Sequence, residues 1–354
     1  MQELTHFSDV ATLGFDTIID VRSPSEFAED HVPGAINLPV LDDEERARVG
    51  TMYKQDSPFR ARKVGAALVF ENAARHLRVH LADKPGNWRP LVYCWRGGQR
   101  SGAFAWMLKE IGWPALTVNG GYKSYRRTVV DYLYDRDLPI KLVRLAGHTG
   151  TGKTELLAKL QARGVQVIDL EGLAAHRGSL LGGMGTPQPS QKTFETRLAM
   201  EIHKMDPARP VIVEAESSKI GAITLPPALW RAMKASQVIE ISAPIDARAQ
   251  YLARAYKSVL DDQEGLKAKL AHLRRFRGHE VVDHWNALID SDDRVALCRS
   301  LAVDHYDPAY ATAHRDDPVT PVARFRTQAM TGTAFDQLAG EIAATCQTMS
   351  TCPT

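Results

Sequence analysis

The sequence predicts an α/β protein built as two successive domains with mostly parallel sheets. Three observations predict it. Short β-branched runs alternate with helical segments twice along the chain, the pattern of parallel sheets flanked by helices. Cys94 stands directly after one strand-like run and opens a glycine-containing turn. A second glycine-rich turn, Gly147 to Thr154, stands between another strand-like run and a helix. The length, 354 residues, suits about two domains. Pro139 marks the junction, giving a first domain over residues 1–136 and a second over residues 137–354 with a helical C-terminal extension.

The first strand is Thr17 to Val21, short, apolar and β-branched. A loop and helix over Ser23 to Glu29 follow, and His31 to Pro39 reads as a turn entering a second strand. Residues 41–63 are polar and basic. Val64 to Leu81 is a helix, Pro90 to Tyr93 a strand that ends at Cys94, Gly102 to Ile111 a helix and Ala115 to Val118 a short strand. Gly120-Gly121-Tyr122 breaks the pattern, and Lys123 to Arg136 is a connecting helix. The second domain opens with a strand over Lys141 to Ala146, then the glycine-rich loop and a helix from Lys153 to Ala162. Val165 to Leu170, Val211 to Glu214 and Val238 to Ile241 are further strands, and beyond Ile245 the chain is mostly helical and charged.

Composition sets limits on function. Hydrophobic residues make up 44% and charged residues 24%, ordinary for a globular protein with a sizeable core. A net charge of +2 is too balanced to argue for nucleic-acid binding, so any basic surface is local. The four cysteines, Cys94, Cys298, Cys346 and Cys352, form neither a disulfide framework nor a CxxC metal pair, which fits the reducing cytoplasm. The start, MQELTHFSDV, is not a signal peptide, and no run of about 18 apolar residues predicts a membrane span.

The loop Cys94-Trp95-Arg96-Gly97-Gly98-Gln99-Arg100-Ser101 follows a strand and opens a helix. Glycines let successive backbone N–H groups turn inward around the sulfur. Those groups and the helix N-terminus favour negative charge. Arg96 and Arg100 add positive charge, so Cys94 is expected to be a low-pKa nucleophile. The spacing Cys94-x5-Arg100-Ser101 also fits a loop that cradles a tetrahedral oxyanion in cysteine-dependent phosphatases.

Gly147-His148-Thr149-Gly150-Thr151-Gly152-Lys153-Thr154 completes the pattern G-x4-G-K-[ST] in its proper context, strand before and helix after. Gly147, Gly150 and Gly152 let backbone N–H groups face a phosphate, Lys153 supplies a point charge and Thr154 is a candidate Mg²⁺ ligand. There is no N-K-x-D guanine-reading motif. Glu214 and Glu216, at the end of a strand, and Asp169, with Glu171 after another, are candidate acidic partners. No residue set points firmly to a resident metal, and no prosthetic group is expected.

Asp20-Val21-Arg22-Ser23-Pro24-Ser25-Glu26-Phe27 with His31-Val32-Pro33-Gly34-Ala35-Ile36-Asn37 resembles the first signature of the rhodanese family, which carries sulfur or selenium on its loop cysteine. By that resemblance Asp20 and Arg22 fix the active loop. The loop here is one residue longer than in many sulfurtransferases of the family, as in rhodanese-fold phosphatases and arsenate reductases, and so leaves room for a larger anion. A rhodanese-like domain followed by a P-loop NTPase-like domain resembles the tRNA 2-selenouridine synthases over nearly the whole chain. The motifs that carry this are Cys94 to Ser101, Asn119-Gly120-Gly121-Tyr122-Lys123, Gly147 to Thr154, Gly182-Gly183 with Gln188-Pro189-Ser190-Gln191, and His305-Tyr306-Asp307-Pro308.

That resemblance implies an activity. The wobble 2-thiouridine in the anticodon of certain tRNAs would exchange sulfur for selenium from selenophosphate, through an S-geranylated nucleoside made from geranyl diphosphate. It assigns the selenium-carrying role to Cys94, makes selenophosphate and geranyl diphosphate co-substrates, and suggests a selenophosphate supply enzyme as partner. The geranyl tail needs an apolar slot, with Leu180 to Met184 or Trp230 and Met233 as candidates. Candidate tRNA phosphate contacts are Arg60 to Lys63, then Lys123, Arg126 and Arg127, and Arg274, Arg275 and Arg277, with Phe276 placed to stack on a base. The competing readings are a rhodanese-type sulfurtransferase or phosphatase coupled to an ATP-binding switch domain, and a non-enzymatic nucleotide-gated tRNA-binding module. His305 and Asp307 read as anchors of a helix end, with a catalytic role as the alternative.

Overall fold

Each of two units is organised by its own parallel sheet. The computed structural model describes all residues except 216, 314–319 and 352–354. One unit comprises Met1–Arg136 together with Pro189–His203, the other Asp137–Gln188 with Lys204–Thr354.

In the first unit, β1 (Thr17–Asp20), β2 (Ala35–Asn37), β3 (Pro90–Tyr93) and β4 (Leu116–Thr117) form a sheet in the order β2-β1-β3-β4, with parallel pairing throughout. Apolar residues fill both faces of β3, where Pro90 to Tyr93 are all buried. The register sets Asp20 beside Asn37 on one side and Tyr93 on the other. The carboxyl ends of the three longest strands therefore meet where Cys94 leaves β3. Ile19, Val92, Phe104, Leu108, Trp113 and Cys94 share one core cluster.

Residues 41–63 are not irregular. They hold helix Asp43–Gln55 and the first turns of helix Pro58–His80. Asp42 caps the first by accepting from the Glu45 N–H while the Glu45 carboxylate accepts from the Asp42 N–H, a reciprocal capping box. Ser57 followed by Pro58 starts the second. The connecting helix is Gly121–Val130, which continues into a wider turn over Asp131–Asp135.

The second unit carries β5 (Lys141–Ala146), β6 (Gln166–Ile168), β7 (Pro210–Glu214), β8 (Lys219–Ile220), β9 (Ile223–Thr224), β10 (Gln237–Ser242) and β11 (Ala323–Arg326). Five of them form a parallel sheet, order β11-β10-β5-β7-β6, while β8 and β9 make a separate antiparallel hairpin. β5 lies in the middle and its successors lie on both sides of it. Its carboxyl end is thus a topological switch point, where ligands of open α/β sheets sit. Helices Lys153–Ala162 and Gly332–Thr351 pack together beside this sheet, with Leu156, Leu160 and Phe335 in its core. The helical remainder has its own core around Trp285, Leu252, Leu270 and Leu301.

Candidate active site

The cysteine loop is built from beneath. Arg22 is fully buried and pairs with Asp20 at 2.6 Å, donates to the Asp30 carbonyl at 2.6 Å and lies 3.9 Å below the Tyr122 ring. Asn37 Nδ2 donates to the carbonyls of Asp20 and Arg22. The Tyr122 hydroxyl and Thr196, on helix Gln191–His203, both donate to the buried Asp30 carboxylate. Burial raises the pKa of Asp30 despite those donors. Arg126 pairs with Glu195 of the same helix, and Tyr134 donates to Glu195 at 2.7 Å. This buried polar frame holds the turn that closes the loop from behind.

Gly121 explains the Asn119-Gly120-Gly121-Tyr122-Lys123 motif. Its φ is +62°, and a Cβ there would lie 2.3 Å from the Cys94 carbonyl oxygen and 2.4 Å from the Gly97 nitrogen. Gly97, at φ +66°, presses equally on the Val118 carbonyl, 2.6 Å from its hypothetical Cβ. The Tyr122 N–H donates to the Cys94 carbonyl at 2.8 Å and the Lys123 N–H to that of Trp95 at 3.0 Å. Two glycines in the left-handed region thus let backbone meet backbone.

The Cys94 thiol is buried, and the Ser101 hydroxyl donates to its Sγ at 3.2 Å. Burial pushes its pKa up. The Ser101 hydroxyl and N–H, the Arg100 charge and the Arg96 N–H outweigh that, so the net direction is below the ordinary thiol value. Cys298 and Cys346 are pushed by burial to about 12 and about 11. Cys352 lies outside the described residues. Gly98 caps helix Gln99–Ile111, so the positive end of its dipole faces the loop. Arg96 is exposed, while Arg100 is held at 2.8 Å by Glu26. Glu26, Asp30 and Tyr122 are partners that the sequence reading did not single out for the site.

In the second unit the glycine-rich loop links β5 to helix Lys153–Ala162. Gly150 and Gly152 have φ +87° and +67°, and a Cβ on Gly152 would strike Phe335 at 2.3 Å. Lys153 Nζ donates to the Gly147 carbonyl at 2.9 Å, across the mouth of the loop. Thr154 Oγ1 donates to Glu171 at 2.9 Å. Glu214 is fully buried, one oxygen accepting from the Leu170 N–H at 3.1 Å and the other, Oε1, unpartnered. Burial, then the nearby Asp169 and Glu171 carboxylates, raise its pKa well above the usual range. Glu171 is also raised, by burial first. Asp169 caps the following short helix by accepting from the Gly172 N–H. Glu216 lies outside the described residues.

Arg248 and Asp307 clamp this loop from the helical part, and sequence reasoning did not connect them. Arg248 donates to the Thr149 carbonyl and pairs with Asp307, whose carboxylate also lies 3.1 Å from His148. Asp307 therefore steadies the loop, while His305 takes a hydrogen bond from Arg277. A cavity of about 550 Å³ opens against the loop. Leu180, Met184, Tyr251, Tyr256, Tyr306 and Tyr310 line it beside Lys153, Thr154 and Arg177. Met233 is buried and Trp230 lies beneath Lys234.

Lys123 and Arg127 are exposed on helix Gly121–Val130, whereas the Arg126 guanidinium is held by Glu195. Arg274 pairs with Asp283, Arg277 donates to His305, and exposed Arg275 lies over the exposed Phe276 ring. Among the described residues no helix is long and apolar enough to cross a membrane. Nor does any group of three or more His, Cys, Asp or Glu residues among them stand ready to hold a metal.

A cysteine loop at the end of one parallel sheet and a glycine-rich loop at the end of another mark a two-domain α/β protein. Comparison with known families agrees. A rhodanese-like domain model matches residues 7–128, and the AAA domain model of tRNA 2-selenouridine synthase matches residues 140–280. A tRNA 2-selenouridine synthase from Shewanella halifaxensis is 32% identical over 83% of this chain and 87% of its own length. One from Psychromonas ingrahamii is 35% identical over 83% and 86%. One from Nitrosomonas europaea is 38% identical over 68% of this chain and 63% of its own length, so that match spans less than two thirds of that relative. The chain belongs to the tRNA 2-selenouridine synthase family.

Proposed function

We propose that this chain is a tRNA-modifying transferase that replaces the sulfur of wobble 2-thiouridine by selenium from selenophosphate, after geranylating that sulfur with geranyl diphosphate. The observation that carries the reading is a thiol held acidic by its own loop, in a family member whose phosphate loop opens onto a partly aromatic cavity.

The first step is alkyl transfer. The thiocarbonyl sulfur attacks the carbon bearing diphosphate, the S–C bond forms, the C–O bond breaks and diphosphate leaves. A diphosphate matches the glycine-rich loop as well as a nucleotide does, so Lys153 and the loop N–H groups hold it and no ATP is hydrolysed. Leu180 and Met184, with the tyrosines around them, supply an apolar wall for the tail. Thr154 and Glu171 are the oxygens that would hold Mg²⁺, which commonly takes one or two protein ligands and completes its shell with phosphates and water. When bound it would neutralise the leaving diphosphate. The unpartnered buried Oε1 of Glu214 would accept from a water bound to that ion.

Alkylation turns a poor leaving group into a thiol, which activates C2 for selenium. In that second step water takes the phosphoryl group of selenophosphate as phosphate, the released selenide bonds to C2, the C2–S bond breaks and geranyl thiol leaves. Cys94 is the loop nucleophile that serves the transfer, so no oxidant is consumed. The Ser101 hydroxyl, donating at 3.2 Å, and the lowered thiol pKa favour the thiolate, the nucleophilic form. The tRNA would meet the exposed cations Lys123, Arg127 and Arg275, with Phe276 as a stacking platform. The reaction belongs in the cytoplasm, where selenophosphate and its supplying enzyme are partners.

The test is competition. ADP is expected to raise the KM for geranyl diphosphate, and Lys153→Ala to abolish geranylation. Geranylation unaffected by Lys153→Ala would end this reading of the phosphate loop.

A further inference from the structure

One apolar hollow of the first unit is unused by the chemistry above. Helix Asp43–Gln55, helix Pro58–His80 and the start of helix Gln99–Ile111 enclose a cavity of about 730 Å³. Val49, Val69, Phe70, Ala66 and Ala103 line it. Its volume falls in the range of about 300–1,000 Å³ typical of small-molecule sites. Gly65 keeps the two long helices close, since a Cβ there would meet Val49 at 3.2 Å. The mouth is open: Tyr53 and Phe70 are exposed, and Phe70 meets exposed Trp106 edge-on at 6.1 Å. An exposed apolar hollow of this kind marks a binding surface.

Two features say what fills it. Its inner wall includes Gln99, Arg100, Gly102 and Ala103, the same turn whose Ser101 holds the Cys94 sulfur at 3.2 Å. Its rim is cationic, with Arg46, Lys54 and Arg62. An apolar floor beside the reactive loop, rimmed by cations, fits an apolar group attached to a polyanion rather than a free lipid. We propose that this cavity binds the geranyl tail of S-geranyl-2-thiouridine within tRNA, with RNA phosphates on the rim and C2 turned to the Cys94 loop. The proposal rests on the two-step reading above. It makes the tail a handle that is held in one unit for alkylation and recognised in the other for selenation.

Photocrosslinking on the full chain tests it. A diazirine-bearing geranyl methyl sulfide is expected to label peptides within residues 43–70 and 99–107, and Ala66→Trp, which fills the cavity from an exposed wall position, to cut that labelling at least tenfold. In selenation assays the wild type is expected to prefer S-geranyl over S-methyl tRNA by at least tenfold in kcat/KM. Ala66→Trp should erase that preference, and Lys54→Glu should weaken both tRNAs alike. Labelling confined to other segments, with selenation of geranylated tRNA intact, overturns the cavity and leaves the two-step reading standing. Labelling of the cavity without any turnover of geranylated tRNA supports the apolar site and overturns the two-step reading instead.

Discussion

Gly121→Ala is the sharpest structural perturbation available near the sulfur. An alanine at φ +62° costs about 1–2 kcal/mol for the left-handed backbone alone. Its Cβ would also stand 2.3 Å from the Cys94 carbonyl oxygen and 2.4 Å from the Gly97 nitrogen, against backbone that has no free direction to yield. Separating them by about an ångström breaks the bond from the Tyr122 N–H to the Cys94 carbonyl and that from the Gly121 N–H to Val118, about 1 kcal/mol each. The sum is about 3–4 kcal/mol, a large share of the roughly 5–15 kcal/mol that stabilises a domain. Native-state hydrogen exchange on peptides covering residues 90–122 is the assay. Protection there should fall by between two and three decades, each decade being about 1.4 kcal/mol. Gly102→Ala is the internal control. Nothing lies within 4 Å of a Cβ at that helical position, so it should gain about 0.5–1 kcal/mol. Protection in Gly121→Ala within threefold of the wild type would refute the claim that the Gly-Gly-Tyr turn braces the loop.

Three further outcomes are expected. Ser101→Ala removes the hydroxyl that donates to Cys94, so its pKa should rise and iodoacetamide alkylation at pH 7 should slow about tenfold, the worth of a hydrogen bond to a charged group. Equal pH profiles for the two proteins would discount the bond. The pKa of Glu214 is raised in the fold, so its stabilising contribution is complete below the ordinary carboxylate range and is lost as pH rises toward the folded value. Glu214→Gln cannot titrate, so urea unfolding should show it gaining on the wild type between pH 5 and pH 8, by at most about 1.4 kcal/mol per pH unit; parallel curves would contradict the burial argument. Finally, tRNA affinity should fall steeply with salt, and Lys123→Ala with Arg127→Ala should flatten that slope by about two phosphate contacts, whereas a salt-independent affinity would remove these cations from the interface.

The legible parts of the fold were those with a local signature. β3, β5 and helix Lys153–Ala162 run as the sequence predicts, because a short β-branched run against a glycine loop has one reading. Helix Asp43–Gln55 escaped because it has no buried residues and so no apolar periodicity, although Asp42 and Glu45 carried its capping signal. Helix Gln191–His203 follows the second unit's first strands in sequence yet joins the first unit through Thr196 with Asp30 and Glu195 with Arg126, a tertiary pairing with no local mark. β11 is four residues on a sheet edge. At the sites, Cys94, Ser101, Lys153 and Thr154 are visible from loop chemistry. Glu171 is legible too, as an acid just after a strand, whereas Glu26 and Arg248 are not, since an ion pair across 74 residues or a donor from 99 residues away leaves no spacing to read.

The central claim is that one chain alkylates and then selenates the wobble thiouridine, with Cys94 needed only for the second step. Nucleoside mass spectrometry tests it most directly. Full-length protein is incubated with 2-thiouridine tRNA, geranyl diphosphate and selenophosphate, beside Cys94→Ala. The account predicts 2-selenouridine from the wild type and accumulation of the S-geranyl nucleoside from Cys94→Ala. Unchanged tRNA from the folded wild type, or 2-selenouridine from Cys94→Ala at the wild-type rate, would contradict it.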